Sequence, residues 1–233
     1  MTVAPSRFAA HLRWLRRLGF RALSIGDVVR WASGEPLPDR GVLITFDDGY
    51  ADLAEHAFPA LAAAGFSAIV FPVTGYLGRT NRWEEPVGCA GHRILNAEAV
   101  KAWSRRGIEF GAHTRTHPDL SQLSPDEIER EMADSREDLE SLLDRPIDSF
   151  AYPYAVVSPP VHALATRLFR IAFGADDGVN ADGTDPYQIR RTMVLPLSRG
   201  VDVLLRARFG FSAKERARHR LAVARTRLTK RSA

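Results

Sequence analysis

Two adjacent carboxylates, Asp47 and Asp48, directly follow the apolar run "VLITF". Neighbouring aspartates repel each other when they are partly removed from water, so a positive charge nearby is needed to hold both ionised. Two histidines, His113 and His117, follow the apolar run "IEFGA" within "HTRTH". Carboxylate and imidazole groups suit zinc and similar first-row divalent ions in sites that keep a position open for water. The four residues therefore predict an open metal site in which one aspartate ligates the cation and the other is a base beside it.

The spacing of His113 and His117 predicts that both rings lie on one side of a single helical turn. Each motif alone is weak, because H-x-x-x-H often binds no metal and D-D-G is common in turns. A third polar stretch, "YPY" from Tyr152 to Tyr154, follows the apolar run "SFA". If all three stretches end parallel strands, they meet at one rim of the fold, where sites are built.

Segments of helical period alternate with β-rich runs along the chain. Helices are predicted at "SRFAAHLRWLRRLG", "SIGDVVRWASG", "ADLAEHAFPALAAAG", "NAEAVKAWSRRG", "SPDEIEREMADSREDLESLLD", "PPVHALATRLF" and in a final region. Strands are predicted at "GVLITF", "SAIVFPV", "IEFGAH", "SFAY", "IAFG" and "QIRRTMVLPL". This alternation indicates parallel strands with right-handed helical crossovers, hence an α/β sheet or barrel.

The composition is that of one ordinary globular domain, with 233 residues, 45% hydrophobic and 26% charged. The single cysteine excludes an internal disulfide. No stretch approaches the roughly 18 apolar residues of a membrane span, and the start lacks the apolar core of an export signal. We therefore expect the chain as written to be cytoplasmic.

The basic charge is concentrated near the end of the chain. From Val201 onward there are ten Lys/Arg against two Asp/Glu, whereas the preceding 200 residues carry 22 against 26. We therefore divide the chain into a domain of residues 1–210 and a basic helical or disordered tail of residues 211–233. The tail is a solvated end, a segment that contacts an anionic membrane surface, or a nucleic-acid contact without specificity. No specific nucleic-acid partner is expected.

Three motifs resemble a known family: "TFDDG", "HTRTH" and "FAYPY" are similar to the first three motifs of the polysaccharide deacetylases of carbohydrate esterase family 4. The resemblance covers nearly the whole domain. It implies a distorted (β/α) barrel with about seven parallel strands. It also implies a metal-dependent hydrolase that removes N-acetyl, or sometimes O-acetyl, groups from glycans.

The resemblance also implies a role for each matched residue. Asp47 would be the catalytic base, and Asp48, His113 and His117 the metal ligands. The backbone N–H of Tyr154 would help to stabilise the oxyanion. The implied cofactor is a divalent metal, most consistent with Zn²⁺, with Co²⁺, Ni²⁺, Mn²⁺ and Fe²⁺ as alternatives.

The third motif departs from the family pattern. The family often has an arginine two residues before the motif's proline, where this chain has Ala151. A variant branch with "FAYPYG" supplies a later arginine instead, and Arg190 or Arg191 could take that part. We assign it to Arg191, and an exposed strand charge is the alternative.

The last motif and the first strand of the family are missing. No histidine occurs between His162 and His219 to protonate the leaving amine. Either Asp47 returns its proton to the amine, or an unmatched residue is the acid. For the missing first strand there are two alternatives: the start codon is placed late, or the barrel is opened on one side.

The predicted substrate is an N-acetylated sugar, oligosaccharide or polysaccharide. Two alternatives remain: hydrolysis of another amide, such as a formamido sugar or a ureide-like substrate, and a catalytically silent glycan-binding or assembly module. Substrate choice would depend on the loops from Thr74 to Leu95 and from Gly174 to Gln188. In the first of these, Trp83 could stack on a sugar ring or anchor the loop.

Overall fold

The computed structural model describes residues 3–198 and 200–209. Within these ranges helices and short strands alternate, as the sequence predicts. The α-helices are α1 Pro5–Arg17, α2 Ile25–Ala32, α3 Phe58–Ala64, α4 Ala97–Ser104, α5 Pro125–Leu143, α6 Pro159–Leu168 and α7 Gly200–Phe209. The strands are β1 Arg21–Ala22, β2 Gly41–Val42, β3 Thr45–Asp48, β4 Ile69–Pro72, β5 Glu109–Phe110, β6 Ser149–Ala151 and β7 Ile171–Phe173. The predicted tail, 211–233, lies outside the described residues.

All of these strand pairings are parallel. β1 pairs with β2, β4 lies between β3 and β5, and β6 pairs with β7. A single bridge from Ala112 to Phe150 joins β5 to β6. The carboxyl ends of β3, β5 and β6 therefore point the same way, which brings the three polar stretches to one rim. The distorted barrel stays a prediction.

The predicted strand "QIRRTMVLPL" is wrong beyond its first residues. Ile189 forms one parallel bridge with Phe173, and the rest of the segment has no regular structure. Met193 is 63% exposed and Leu197 81% exposed. The backbone of Arg190 bonds with the side chain of Asn180 instead of with a strand. β-propensity alone does not form a ladder where no strand lies alongside.

Local sequence signals explain where several helices begin and end. Ser124 and Glu127 form a reciprocal capping box at the start of α5. Gly65 ends α3 in the left-handed conformation, with φ 69°. The turn before α3, Leu53–Ala57, is π-helical rather than α-helical. Pro59 lacks an N–H and crowds the carbonyl four residues earlier, which accounts for the wider turn.

Apolar side chains of the helices pack on both faces of the strands. One cluster joins α1, α3 and α4 to β4 and β5, another packs α5 and α6 on β6, and a third packs α2 against β4 and β7. Phe71, Phe150 and Phe173 in β4, β6 and β7 are at most 1% exposed. Among the described helices, none has both the length and the apolar character that crossing a membrane requires.

Gly49 allows β3 and β4 to approach closely at the rim. Its φ is 76°, and a Cβ atom placed on it would lie 2.6 Å from the Cβ of Pro72. A side chain at this position would meet both backbone strain and a steric clash. The glycine of "DDG" is therefore required by the packing of the two strand ends.

We predict that Gly49→Ala destabilises the fold more than Gly65→Ala. Gly65 has a similar φ of 69° but nothing within 4 Å of its added Cβ, so it reports the backbone strain alone. That strain should cost about 1 kcal/mol, and the clash should bring the Gly49 variant to about 2–4 kcal/mol. Urea unfolding measures both free energies. Equal losses would show that the contact with Pro72 relaxes freely.

Candidate metal centre

The three predicted ligands lie together at the rim. Oδ1 of Asp48, at the end of β3, is 3.5 Å from Nε2 of His113 and 3.4 Å from Nε2 of His117. One candidate ligand atom from each residue can be chosen so that all three lie within 4.8 Å of one another. In the part of the chain that the structure describes, this is the one His/Cys/Asp/Glu cluster with such geometry.

Within the described part of the chain, hydrogen bonding orients the ring of His113 but not that of His117. Nδ1 of His113 is 2.7 Å from the carbonyl oxygen of Ala151, at the end of β6. A ring that donates from Nδ1 presents the lone pair of Nε2 to the centre, which is the usual arrangement of a metal-binding histidine. Nδ1 of His117 is buried and has no hydrogen-bond partner among the described residues. Two buried imidazoles facing one carboxylate fit the donor set of a divalent cation.

The helical turn predicted for "HTRTH" is wrong. Residues 113–117 form an irregular loop in which Thr114 and His117 each have φ 64°. The hydroxyl oxygen of Thr114 accepts a hydrogen bond from the N–H of His117 at 3.1 Å. The rings of His113 and His117 meet edge to face, with centroids 4.9 Å apart. A left-handed backbone at two loop positions, rather than helical periodicity, brings both rings to one place.

Asp48 has a left-handed backbone as well, with φ 66°. A non-glycine residue in this region costs about 1–2 kcal/mol. Thr114, His117 and Asp48 therefore concentrate backbone strain around the cluster, as is common at functional sites.

The charges of the cluster determine the protonation of the histidines when no cation is bound. Burial alone would lower the pKa of His113, but the hydrogen bond to Asp48 and the nearby charge of Asp47 raise it above its usual value. Burial and the neighbouring His113 lower the pKa of His117 to about 4. His117 is therefore neutral near pH 7, with a lone pair available for a metal ion.

Arg191 forms a two-pronged ion pair with Asp47. Its Nη1 donates to Oδ1 at 2.6 Å and its Nη2 to Oδ2 at 2.8 Å. Nε of Arg191 donates to the carbonyl of Gly174, and Nη1 also contacts the hydroxyl of Thr45 at 3.3 Å. The guanidinium, only 14% exposed, thus joins the end of β7 to β3. Of the two candidate arginines, Arg191 contacts Asp47, whereas Arg190 is exposed.

The ion pair controls the charge of Asp47. Burial would raise the pKa of this carboxyl, but the Arg191 guanidinium, with smaller contributions from His113 and His117, holds the pKa below its usual value. The side chain keeps 37% of its surface accessible. Asp47 is therefore ionised at neutral pH, held in one orientation and still reachable from solvent.

Aromatic side chains surround the His117 ring. Trp83 stacks on it with centroids 5.3 Å apart and planes 29° from parallel. Tyr154 meets it edge-on at 4.6 Å and is 58% exposed. Tyr76 in turn packs edge-on against Trp83. Trp83, for which the sequence left sugar stacking and loop anchoring open, lies beside the candidate ligands.

Other histidines lie elsewhere or outside the described residues. Nε2 of His162, on α6, is 2.7 Å from a carboxylate oxygen of Asp185. His56 is exposed on the π-helical turn. His219 is outside the described residues. The identity of a general acid other than Asp47 stays a prediction.

The sequence did not indicate Glu131, which contacts the "HTRTH" loop. Its carboxylate accepts hydrogen bonds from the backbone N–H groups of Arg115 and Thr116 and from the hydroxyl of Thr116. The available signal was the spacing of Glu131, Asp134 and Asp138, which places three acidic residues on one face of a predicted helix.

We predict that Arg191→Met raises the pKa of Asp47, because burial then acts without the guanidinium. In the wild type the pKa of Asp47 is lower in the folded protein than in the unfolded protein, where it is about 3.9. The pair therefore stabilises the fold fully at pH values above the unfolded pKa, and this stabilisation is lost as pH falls through the folded pKa. The variant should therefore have a lower Tm than wild type at neutral pH, and the difference in Tm should be smaller at acid pH. Carboxyl NMR titration of the metal-free protein measures the pKa directly.

Arg190→Met is the matched control for this experiment. Arg190 is exposed and its backbone, not its guanidinium, bonds with Asn180. Its replacement should leave the Asp47 titration unchanged. An unshifted Asp47 titration in Arg191→Met would show that the guanidinium does not control this carboxyl.

Comparisons with known proteins find the same family along most of the described chain. Residues 34–169 match the sequence profile of the polysaccharide deacetylase family. The Streptococcus pyogenes deacetylase PplD, solved in complex with acetate, is 28% identical with a TM-score of 0.77, over 88% of this chain and 87% of that one. IcaB from Ammonifex degensii is 26% identical with a TM-score of 0.73, over 84% and 85%.

A curated relative gives higher identity over a shorter stretch. The poly-beta-1,6-N-acetyl-D-glucosamine N-deacetylase of Escherichia coli strain K12 is 35% identical over 122 residues, which are 49% of this chain and 18% of that protein. The solved structures indicate a (β/α)-type fold, in agreement with the parallel strands and intervening helices described above. Since the family profile matches more than half of the 233 residues, the chain belongs to the polysaccharide deacetylase family.

Proposed function

We propose that this protein is a metal-dependent hydrolase that removes N-acetyl groups from an N-acetylated sugar, oligosaccharide or polysaccharide. The observation that carries the proposal is the pairing of two functions at one rim. Asp48, His113 and His117 converge as a ligand set, and Asp47 stands beside them as an ionised carboxylate held by Arg191. A base next to an open metal site can catalyse amide hydrolysis.

The substrate class is supported by the named relatives. PplD is a deacetylase whose structure contains acetate, and the Escherichia coli relative is named for de-N-acetylation of a glucosamine polymer. Because the match to the latter covers only a small part of that protein, the polymer itself is not transferred to this chain. We propose the acetylated amino sugar as the recognised unit.

Asp48, His113 and His117 would hold the divalent ion, most consistent with Zn²⁺, with Co²⁺, Ni²⁺, Mn²⁺ and Fe²⁺ as alternatives. When bound, such an ion supplies Lewis acidity that polarises an amide carbonyl and makes water acidic. The fit rests on His113, oriented by Ala151, and on His117, neutral at the pH of the reaction.

Asp47 is proposed as the proton acceptor in this reaction. Both of its oxygens are oriented by Arg191, so the carboxylate is positioned before substrate arrives. It takes a proton from the attacking water and then returns it to the leaving amine. Its low pKa makes it a weak base but a ready donor once protonated, which suits the second step.

Tyr154 is proposed to act through its backbone. Its backbone is left-handed, with φ 53°, and its ring lies against His117 at the rim. The N–H would donate a hydrogen bond to the oxygen that becomes negative in the tetrahedral intermediate. Its exposed ring, beside His117, would border the substrate.

We also propose that the strands form a distorted barrel that is open on one side, with residues 1–210 as the catalytic domain. The contacts of Arg191 with Gly174 and Thr45 support this arrangement because they join β7 to β3 through a side chain. Cytoplasmic location and contact of the tail with an anionic membrane surface remain proposals from sequence.

We predict that Asp47→Asn keeps the metal and loses turnover. Wild type should hold about one metal per chain and release acetate from N-acetylglucosamine oligomers. Removing the base should lower acetate release by about 10²–10⁴-fold, whereas His113→Ala should lose the metal as well. Metal content by elemental analysis and acetate by enzymatic assay measure the two effects separately.

Asp52→Asn, an exposed carboxylate close in sequence, is the matched control and should behave as wild type. Wild type that binds metal but releases no acetate from any acetylated glycan would turn the proposal toward other amides or toward a silent glycan-binding module. Wild type that binds no metal would refute the proposed mechanism.

A further inference from the structure

One carboxylate of helix α5 holds the loop that carries both histidine ligands. Oε2 of Glu131 accepts the backbone N–H groups of Arg115 and Thr116, each at 2.8 Å. Oε1 accepts the hydroxyl of Thr116 at 2.6 Å. Both bonded residues lie between His113 and His117. A single side chain thus fixes the middle of the loop with three hydrogen bonds, each of them to a charged acceptor.

The loop has no regular structure to hold it. Its backbone bends through left-handed positions at Thr114 and His117, and two successive N–H groups point outward to one oxygen. Such a concave pair of N–H groups is a nest for an anion, and here a carboxylate of the same chain fills it. On the other side of the loop, the N–H of Gly75 donates a hydrogen bond to the carbonyl of Arg115.

Helix α5 is a firm support for Glu131. The next residue, Met132, is fully buried, which anchors this turn of the helix in the core. The guanidinium of Arg115 pairs with Asp134 at 3.2 Å and with Asp138 at 3.4 Å on the same side of the helix. These pairs are partly exposed and contribute little each. The contacts of Glu131 differ from these pairs because two of them reach the backbone of the loop.

We propose that Glu131 is a positioning residue of the metal centre, which sets metal affinity by fixing the loop so that both histidines face Asp48 before the cation arrives. The inference rests on the proposed function of the site. Glu131 touches neither the cation nor the substrate and acts through the backbone between the ligands. A loop that is already ordered loses less conformational freedom when metal binds, so the affinity is higher.

The test is zinc affinity of the metal-free protein, measured by titration of Zn²⁺ against a competing chelator. Glu131→Ala should raise the Kd for zinc by about 10–100-fold. Glu131→Gln should give a smaller increase, because the amide oxygen still accepts from the two N–H groups and the amide nitrogen can donate to Thr116. Glu129→Ala is the matched control, since Glu129 lies on the same helix and pairs with Arg167 at the surface.

A second measurement separates positioning from general stability. In metal-free protein, Tm of Glu131→Ala should stay close to that of Glu129→Ala, whereas the rise in Tm on adding zinc should be smaller than in wild type. If Glu131→Ala fails to fold, Glu131→Gln and Thr116→Ala, which each keep part of the contact, must still show weaker zinc binding. Zinc affinity equal to wild type in the folded variants overturns the inference, whatever their Tm.

Failure of this inference differs from failure of the proposed function. The inference fails when wild type and the Glu131 variants bind zinc equally well. The proposed function fails when wild type itself binds no divalent metal, or binds metal and releases no acetate.

Discussion

The site depends on how the structure accommodates two adjacent carboxylates, Asp47 and Asp48, at the end of β3. Burying two neighbouring carboxylates is costly unless positive charge lies nearby. The structure gives the two side chains different partners: Arg191 pairs with Asp47, and the imidazoles of His113 and His117 face Asp48. Two chemically identical neighbours thereby receive different environments. This difference supports the proposal that one is a base and the other a metal ligand.

The loops around the site contain strained backbone that surrounding contacts stabilise. Asp48, Thr114, His117 and Tyr154 all have left-handed backbones around one small volume. Such conformations persist only when surrounding contacts over-determine them. The contacts found here come from different elements: Ala151 of β6 holds the His113 ring, Thr114 holds the N–H of His117, and α5 holds the loop between them. The helices and strands of the fold thus act as a frame for three irregular turns.

The sequence predicted that the candidate ligands lie together, because their placement follows from strand ends. Asp48, His113 and His117 each follow an apolar run, and parallel strands bring such positions together. The path of the "HTRTH" loop could not be predicted, because left-handed residues override the helical spacing of its histidines. The segment after Ile189 reads as a strand but has no neighbour, and pairing is a tertiary property. The contact of Glu131 with the loop is likewise non-local and has no motif.

The Arg191–Asp47 contact also bears on where this domain can be cut. The sequence shared with the family profile ends at residue 169, so it contains every candidate ligand but not Arg191. The two partners of the ion pair are 144 positions apart in the chain. A shortened protein that stops at the profile boundary would therefore retain the candidate ligands while leaving the Asp47 carboxylate unrestrained. For grafting or minimisation of this scaffold, the working unit has to reach past Arg191.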